Sequence, residues 1–457
     1  MSPVVNDMLT KDKAFYRTLI ALAVPIALQN LVTFCVNLAD SVMVGSLGDA
    51  AVSGMYMGNQ IQTLLQVFSG GIEGAILVLA AQYWGQRDTG AIRKIGAIGI
   101  RLSVIVGGVL TVLCAIMPDR IIGLFTHDPD TVRTGAEYLG IVCFSYIFFC
   151  LTQSLIATMR SVEIARIGLY VSTCSLVTNV ALNYVLIFGK LGFPELGIRG
   201  AAIATVISRF LELAIVAGWT HLHKERHPFI RGAFRSIYIP GKLFKSVVLK
   251  GMPLLVNEFL WSTGVAILNQ CYSTCGLDVV PAMNIASTIN NLASVAFLSL
   301  GNSVGIIMGQ MLGSGRSEPE IRDSNRKLMV VAVGSGLLFG AVMAAFAVPF
   351  PRIYNTTDEV RHLATLLILV CALAMPVHSF NNATYFTLRS GGQAFVTFLF
   401  DSCYMWVVCV PLAFCLSRFT DLPIMPLYLL CQLTDMAKII LGSIMLKQGK
   451  WIQNLTV

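Results

Sequence analysis

The stretch Gln82-Tyr83-Trp84-Gly85 has a counterpart 228 residues later in Gln310-Met311-Leu312-Gly313. At the same shift Pro25 meets Pro253 and Gly48 meets Gly276. One residue out of phase, Thr158-Met159-Arg160-Ser161 meets Thr387-Leu388-Arg389-Ser390. Half of this chain is therefore a distant copy of the other half. Both copies are mostly apolar, and a weakly symmetric pair of membrane-embedded halves is the usual signature of a secondary transporter. The symmetry places the substrate between the halves.

Composition sets the class. A soluble domain averages about 25% charged residues; here 12% of 457 residues are charged and 56% are hydrophobic. The charges gather in short clusters between apolar runs, each long enough for the roughly 20 residues that cross a bilayer as helix. The pattern predicts an all-α polytopic membrane protein with twelve transmembrane helices. The spans run at about 17–46, 51–81, 95–117, 136–159, 166–189, 197–220, 247–271, 280–311, 327–349, 362–388, 394–416 and 424–446. This gives a six-helix bundle over 1–220, a basic linker over 221–246 and a second six-helix bundle over 247–457. An even number of spans per copy makes the copies parallel, related by a pseudo-two-fold axis along the membrane normal. The polar first residues, Met1 to Ala14, lack the apolar core of a cleaved signal peptide.

Lysine and arginine give the orientation. With the N-terminus inside, 22 of the 32 fall in cytoplasmic segments and 7 in outer ones, the latter being Arg120, Arg133, Lys190, Arg199, Arg352, Arg361 and Arg418. Both termini are expected in the cytoplasm, in a multi-pass plasma (inner) membrane protein. The net charge of +8 follows from basic loops facing an anionic leaflet rather than from a nucleic-acid partner. In the linker, basic residues alternate with Phe229, Ile230, Phe234, Ile237 and Tyr238, as in an interfacial helix. The 12 cysteines are scattered and form no zinc-like spacing. The partners expected are lipid and small drug-like molecules, with the chain a monomer and no cofactor beyond a coupling ion.

Charge inside a span costs about 2.5–3.5 kcal/mol near the helix centre, so the acids there narrow the search. Glu212 has Arg209 and Asp435 has Lys438 three residues away on the same helix face, as in structural ion pairs. Asp401, near the end of its span and the Arg389 turn, reads as an anchor. Glu73, in Ser69-Gly70-Gly71-Ile72-Glu73-Gly74, reads as a hydrogen-bonded acid where glycines let helices approach. Asp40 has no partner on its own helix and ends a polar stripe of Asn30, Thr33 and Asn37. A stripe of this kind faces a partner helix or a water-filled cavity. Asn179, Asn183 and Thr205 supply further oxygens, which with Asp40 suit a hard cation such as sodium; interhelical hydrogen bonding is the alternative use of such asparagines. In the second half Glu258 and Trp261 adjoin a strip of Asn284, Thr288 and Asn291, a second polar cavity wall. His378 is the only histidine well inside a span, and histidine suits proton relays.

Taken together these residues resemble the multidrug and toxic compound extrusion (MATE) family. The resemblance rests on Pro25 with Asp40-Ser41-Val42-Met43-Val44-Gly45-Ser46-Leu47-Gly48, on Ala81-Gln82 through Asp88, and on Asn179 with Asn183 through Gly189. Gly197 through Thr205, Gly251-Met252-Pro253, and Leu388-Arg389-Ser390-Gly391-Gly392 followed by Asp401 and Trp406 complete it. It implies a twelve-helix fold and export of bulky, often cationic, lipophilic compounds by antiport with protons or sodium. It implies ion coupling at Asp40, Asn179, Asn183 and Thr205, and a cleft lined by Asn37, Glu258, Trp261, Asn284, Thr288, Asn291 and His378. The chain departs from the family in three places. Asn183 stands where some members have an aspartate. Trp261 stands where others have a glutamate, with Glu258 one turn away. His378 lies near a tenth-helix aspartate that is absent here. A single carboxylate among neutral groups favours a proton over sodium. The alternative function, a flippase for lipid-linked oligosaccharides, calls for a basic cavity; among span cations only Arg101 has no acid in register on its helix. No nucleophile–base constellation or metal-ligand cluster indicates an enzyme, and the two-fold repeat suits alternating access better than a channel.

Overall fold

The computed structural model describes residues 13–223, 241–420 and 422–456. The expected interfacial helix at 221–246 lies largely outside the described residues. In chain order the long helices are α1 (Lys13–Gly45), α2 (Asp49–Gly85), α3 (Thr89–Ile116), short α4 (Pro118–Gly123), α5 (Pro129–Val142), α6 (Ser145–Ser161), α7 (Arg166–Ile187) and α8 (Ile198–Leu222). The second series is α9 (Gly241–Ser273), α10 (Val279–Gly313), α11 (Glu318–Phe346), α12 (Asp358–Ser390), α13 (Ala394–Phe419) and α14 (Ile424–Gln448). Among the described residues eleven helices are long and apolar enough to cross a membrane, and the α5–α6 pair makes twelve when counted as one span.

The chain divides into two compact units. One is Leu28–Gly251; the other is Met252–Val457 together with the residues up to Ala27. The divisions fall within three residues of Pro25 and Pro253, the prolines inside α1 and α9. Each unit has six spans in one order, beginning with a 33-residue, proline-bearing helix and a second helix of 37 or 35 residues. The repeated glycines have a backbone reason. Gly48 and Gly276 take φ of 100° and 154° in the turn between first and second spans, a region that favours glycine.

The copies differ in where a span is irregular. In the first unit the fourth span breaks by 50° between α5 and α6. Gly107 of α3 approaches the backbone of Ile147 there so closely that a Cβ would lie 2.8 Å from its Cα. The Thr111 hydroxyl donates to the Cys143 carbonyl at 2.9 Å, satisfying an acceptor at the break. The corresponding α12 runs unbroken for 33 residues through Pro376. In the second unit it is the fifth span that departs from a regular helix. α13 contains two π-helical turns, Leu399–Cys403 and Met405–Cys409, a feature frequent at functional sites.

Both cores are apolar. Tyr138, Tyr146, Phe149 and Ile187 are buried in the first unit, and Tyr272, Met343, Leu367 and Tyr428 in the second. The glycines around Glu73 act as expected, since Gly251 packs against the Gly71 carbonyl and the Ala75 methyl of α2. Glu73 accepts a hydrogen bond from Ser69 at 2.9 Å.

Candidate functional site

In the first unit α1 and α7 bring together the acid and the two asparagines singled out by sequence. Asn183 Nδ2 donates to Asp40 Oδ1 at 2.5 Å and to Asn179 Oδ1 at 3.0 Å. Asn179 and Asn183 stand one turn apart on α7, so one amide bridges the other and the carboxylate. Both asparagines are buried. Thr205 of α8 donates to the Ala201 carbonyl at 3.0 Å and lies near the Tyr138 hydroxyl of α5. Tyr138 reaches Asn59 of α2 at 3.4 Å and lies within electrostatic range of Asp40. The nearby cation Arg209 holds Glu212 at 3.0 Å and sits over the Phe149 ring, as the spacing of three residues predicted. The hydrogen-bond partners of Asp40 are thus neutral amides.

The Asp40 set holds both an amide donor and free lone pairs. An ionised carboxylate only accepts hydrogen bonds, and the Asn183 amide presents its N–H to it. Asn179 Oδ1 is taken up by Asn183, whereas the Thr205 hydroxyl gives its proton to its own helix and keeps its lone pairs. Lone pairs, not donors, are what sodium needs. Asn183 Oδ1 is buried and makes no hydrogen bond.

The second unit holds a larger polar cluster, and its pairings correct two expectations. Asp435 and Lys438 do not form the expected ion pair. Lys438 Nζ crosses to Asp401 Oδ1 of α13 at 3.2 Å, with the rings of Phe400 and Tyr404 beside it. Asp435 pairs instead with His378 Nδ1 of α12 at 3.2 Å. The lysine stem is long enough to reach a neighbouring helix, and the ring faces there attract its ammonium. Asp401 is therefore no anchor at a span end but the acceptor of a cross-helix charge pair. Its second oxygen accepts from Asn257 Nδ2 of α9 at 3.2 Å, and the same amide reaches the Tyr385 hydroxyl at 3.3 Å.

Asn257 also accounts for the first π turn. Its Oδ1 accepts from the Ser402 backbone N–H at 3.3 Å and from the Ser402 hydroxyl at 2.7 Å. The Ser402 hydroxyl also lies 2.7 Å from the Asn257 carbonyl. A buried backbone donor left unsatisfied costs about 1–3 kcal/mol, and the side chain removes that penalty. The Trp406 indole N–H donates to the Leu260 carbonyl at 2.9 Å, tying the second π turn to α9 as well. Gln29, 228 residues before Asn257, plays the matching part in the first unit. It accepts from Arg160 at 2.7 Å and fills the space over Gly168 of α7. Each residue stands four positions after its span's proline, a sequence signal that could have identified both. Nothing local in the sequence marked Tyr138 or Ser402.

The remaining expected residues are dispersed. Glu258 acts electrostatically on Tyr385. Trp261 is exposed on its unit, as are Asn37, Asn284 and Asn291. Thr288 is half-buried and donates to the Asn284 carbonyl at 2.8 Å. Arg101 is engaged by other groups of the protein.

Fold and sites define a helical membrane protein of two six-span units, each with a polar cluster among its helices. The MatE family pattern matches residues 25–185 and 253–415, one match in each copy. The chain belongs to the MatE family of multidrug efflux transporters. It is 23% identical over 438 residues to "Probable multidrug resistance protein NorM" of Thermotoga maritima, covering 95% of this chain and 93% of that one. It is 24% identical to "Probable multidrug resistance protein YoeA" of Bacillus subtilis, covering 93% and 91%. Among solved structures it superposes with a TM-score of 0.86 on the Vibrio cholerae MATE transporter VcmN in the bent form, at 18% identity over 98% of this chain and 99% of that one. An outward-facing multidrug resistance MATE family transporter gives 0.85, at 18% identity over 94% and 95%.

Proposed function

We propose that this protein exports lipophilic cations from the cell by antiport with protons, and that Asp40 is the coupling group. The carrying observation is the hydrogen-bonded set Asp40–Asn183–Asn179, in which one carboxylate has neutral partners and the nearby arginine is occupied by Glu212. A carboxylate placed so gains or loses its charge without breaking an ion pair. Protonation removes the attraction for a cationic substrate and weakens the hydrogen bond from Asn183, which then meets a neutral carboxyl. A membrane potential adds about 2.3 kcal/mol per charge per 100 mV to inward movement of the proton. The names of the two relatives, both probable multidrug resistance proteins, support small-molecule drugs as substrates. The basic-loop bias supports a plasma-membrane location with both termini inside.

The test is efflux of ethidium or tetraphenylphosphonium from proteoliposomes under separate proton and sodium gradients. A proton gradient should drive export and a sodium gradient should not. Asp40→Asn, nearly isosteric and fixed in the uncharged form, should reach the membrane but lose gradient-driven export at least tenfold, about 1.4 kcal/mol. Wild-type export by D40N would pass the coupling role to Glu258 or Glu73. Cysteines at Thr126 and Ser314 should be labelled from opposite sides, the first from outside; labelling from one side would overturn the topology.

A further inference from the structure

α14 ends at Gln448, and the residues after it come to lie against the turn between α12 and α13. Gly449 starts the reversal with φ of 70°, the left-handed conformation common just past a helix end. Trp451 follows. It is 1% exposed and the bulkiest of the fully buried side chains among the described residues. Its indole N–H donates to the Leu446 carbonyl at 3.1 Å. Arg322, near the start of α11, donates to the same carbonyl at 3.3 Å and to that of Lys447 at 3.0 Å. The last carbonyls of a helix have no partner within it, and these two are satisfied from outside. Glu318, one turn before Arg322, holds its guanidinium at 2.7 Å. That guanidinium fills the space a Cβ on Gly449 would take.

The α12–α13 turn is fitted to the same segment. Gln393 Nε2 donates to the Lys450 carbonyl at 3.1 Å. A Cβ on Gly391 would overlap the Trp451 carbonyl oxygen and stand 2.8 Å from its carbon. The φ of Gly391 is −79°, open to any residue, so the backbone of the turn does not itself call for glycine. Close approach of another backbone does.

The first unit supplies the control. Its matching turn, after Arg160, is built alike. Glu163 takes φ of 69° where Gly392 takes 71°, and their N–H groups donate to the Arg160 and Arg389 carbonyls at 3.1 and 2.9 Å. Yet Val162 stands in the place of Gly391, and its side chain is buried. One kind of turn therefore carries a buried side chain in the first unit and admits a crossing backbone in the second. Gly391, Gly449 and Arg322 are fitted to residues 449–456 rather than to their own elements.

We infer that residues 449–456 form a strap that locks the α12–α13 turn onto the ends of α11 and α14, and that transport needs the strap seated. This rests on membership of a transporter family and not on the coupling ion or on Asp40. α13 begins directly after Gln393 and carries both π-helical turns. The strap thus fixes where the irregular span enters its unit. Slack there lets α13 move apart from α11 and α14, and so slows a step in which the unit must move as one piece.

The experiment combines Gly391→Val, which installs the residue of the first copy, with removal of residues 449–457. In the full chain G391V should unseat the strap and lower the thermal midpoint in detergent by several degrees. In the shortened chain it should cost little, because the carbonyl it meets is gone. An equal loss in both backgrounds overturns the fit between Gly391 and the strap. Trp451→Ala tests the same contact in a chain of full length. Hydrogen exchange at 391–397 should quicken in W451A while 162–168 stay as in wild type. Unchanged exchange at 391–397, or an equal change in both stretches, overturns the inference. Ethidium efflux from proteoliposomes gives the functional readout. W451A should lower the maximal rate and leave the half-saturating concentration unchanged, the mark of a slowed conformational step rather than lost binding. A wild-type maximal rate, or a raised half-saturating concentration alone, overturns the role in transport. Wild-type export by D40N would overturn the Asp40 reading and leave the strap standing.

Discussion

The two units hold their half-buried acids in opposite ways. In the first, Asp40 is held by the neutral amide of Asn183 at 2.5 Å, and the nearby cation is bound elsewhere. In the second, Asp401 is held by Lys438 and Asp435 by His378, both at 3.2 Å. A carboxylate with neutral partners exchanges its charge alone. A carboxylate paired with an ammonium, as Asp401 is with Lys438, keeps its charge. Duplication gave both units one framework, and the residues added to it decide which group titrates.

The sharpest break in this comparison is Lys438→Met. It removes the ammonium between two acids, and losing one member of a buried pair costs about 3–5 kcal/mol. Thermal unfolding in detergent should show that loss, while K438M/D401N should recover much of it, because the stranded charge is gone. Equal stability of K438M and wild type would mean that the cross-helix pair contributes nothing.

A smaller effect is expected where the units use matched residues. Gly168→Ala places a methyl against the Gln29 amide and should displace it from Arg160, costing about 1–3 kcal/mol by overpacking. Ser402→Ala removes a hydroxyl from Asn257 without adding bulk, and should cost about 1 kcal/mol. If S402A proves the more damaging in thermal unfolding, the π turn depends on Ser402 more than on the Asn257 side chain.

The smallest effect concerns the fourth spans. The start of α5 is capped by Asp128, which accepts from the Thr131 N–H at 2.9 Å and its hydroxyl at 2.5 Å. α12 is capped by neutral Thr357, accepting from the Val360 N–H at 3.3 Å. The Thr131 hydrogen bonds hold the exposed Asp128 carboxyl below its usual range. A group lowered in the folded state stabilises it above the unfolded value of about 4, and that contribution fades as pH falls through the lowered value. Hydrogen exchange at 131–133, corrected for intrinsic rates, should therefore quicken slightly on acidification in wild type and not in Asp128→Ala. The amides after Thr357 should show no such dependence. The same response at both caps would assign the effect to something other than Asp128.

By itself the sequence determined the duplicated all-helical membrane architecture, because apolar runs long enough to cross a bilayer and landmarks repeated at 228 residues are properties of the chain in one dimension. It also placed Asp40 with Asn179 and Asn183, since a polar stripe on one helix and two amides one turn apart on another leave few other uses for those groups. Tertiary structure decided what spacing along one helix could not. Lys438 stands three residues from Asp435 yet bonds Asp401, 37 residues away in sequence. Asn257 reaches Ser402 across 145 residues and accompanies a π turn that no local pattern announces. The bend at residues 143–144 was hidden too, because Thr111 and Gly107 support it from another helix. A helix face presents several partners within a side chain's reach, and packing with its neighbours selects among them.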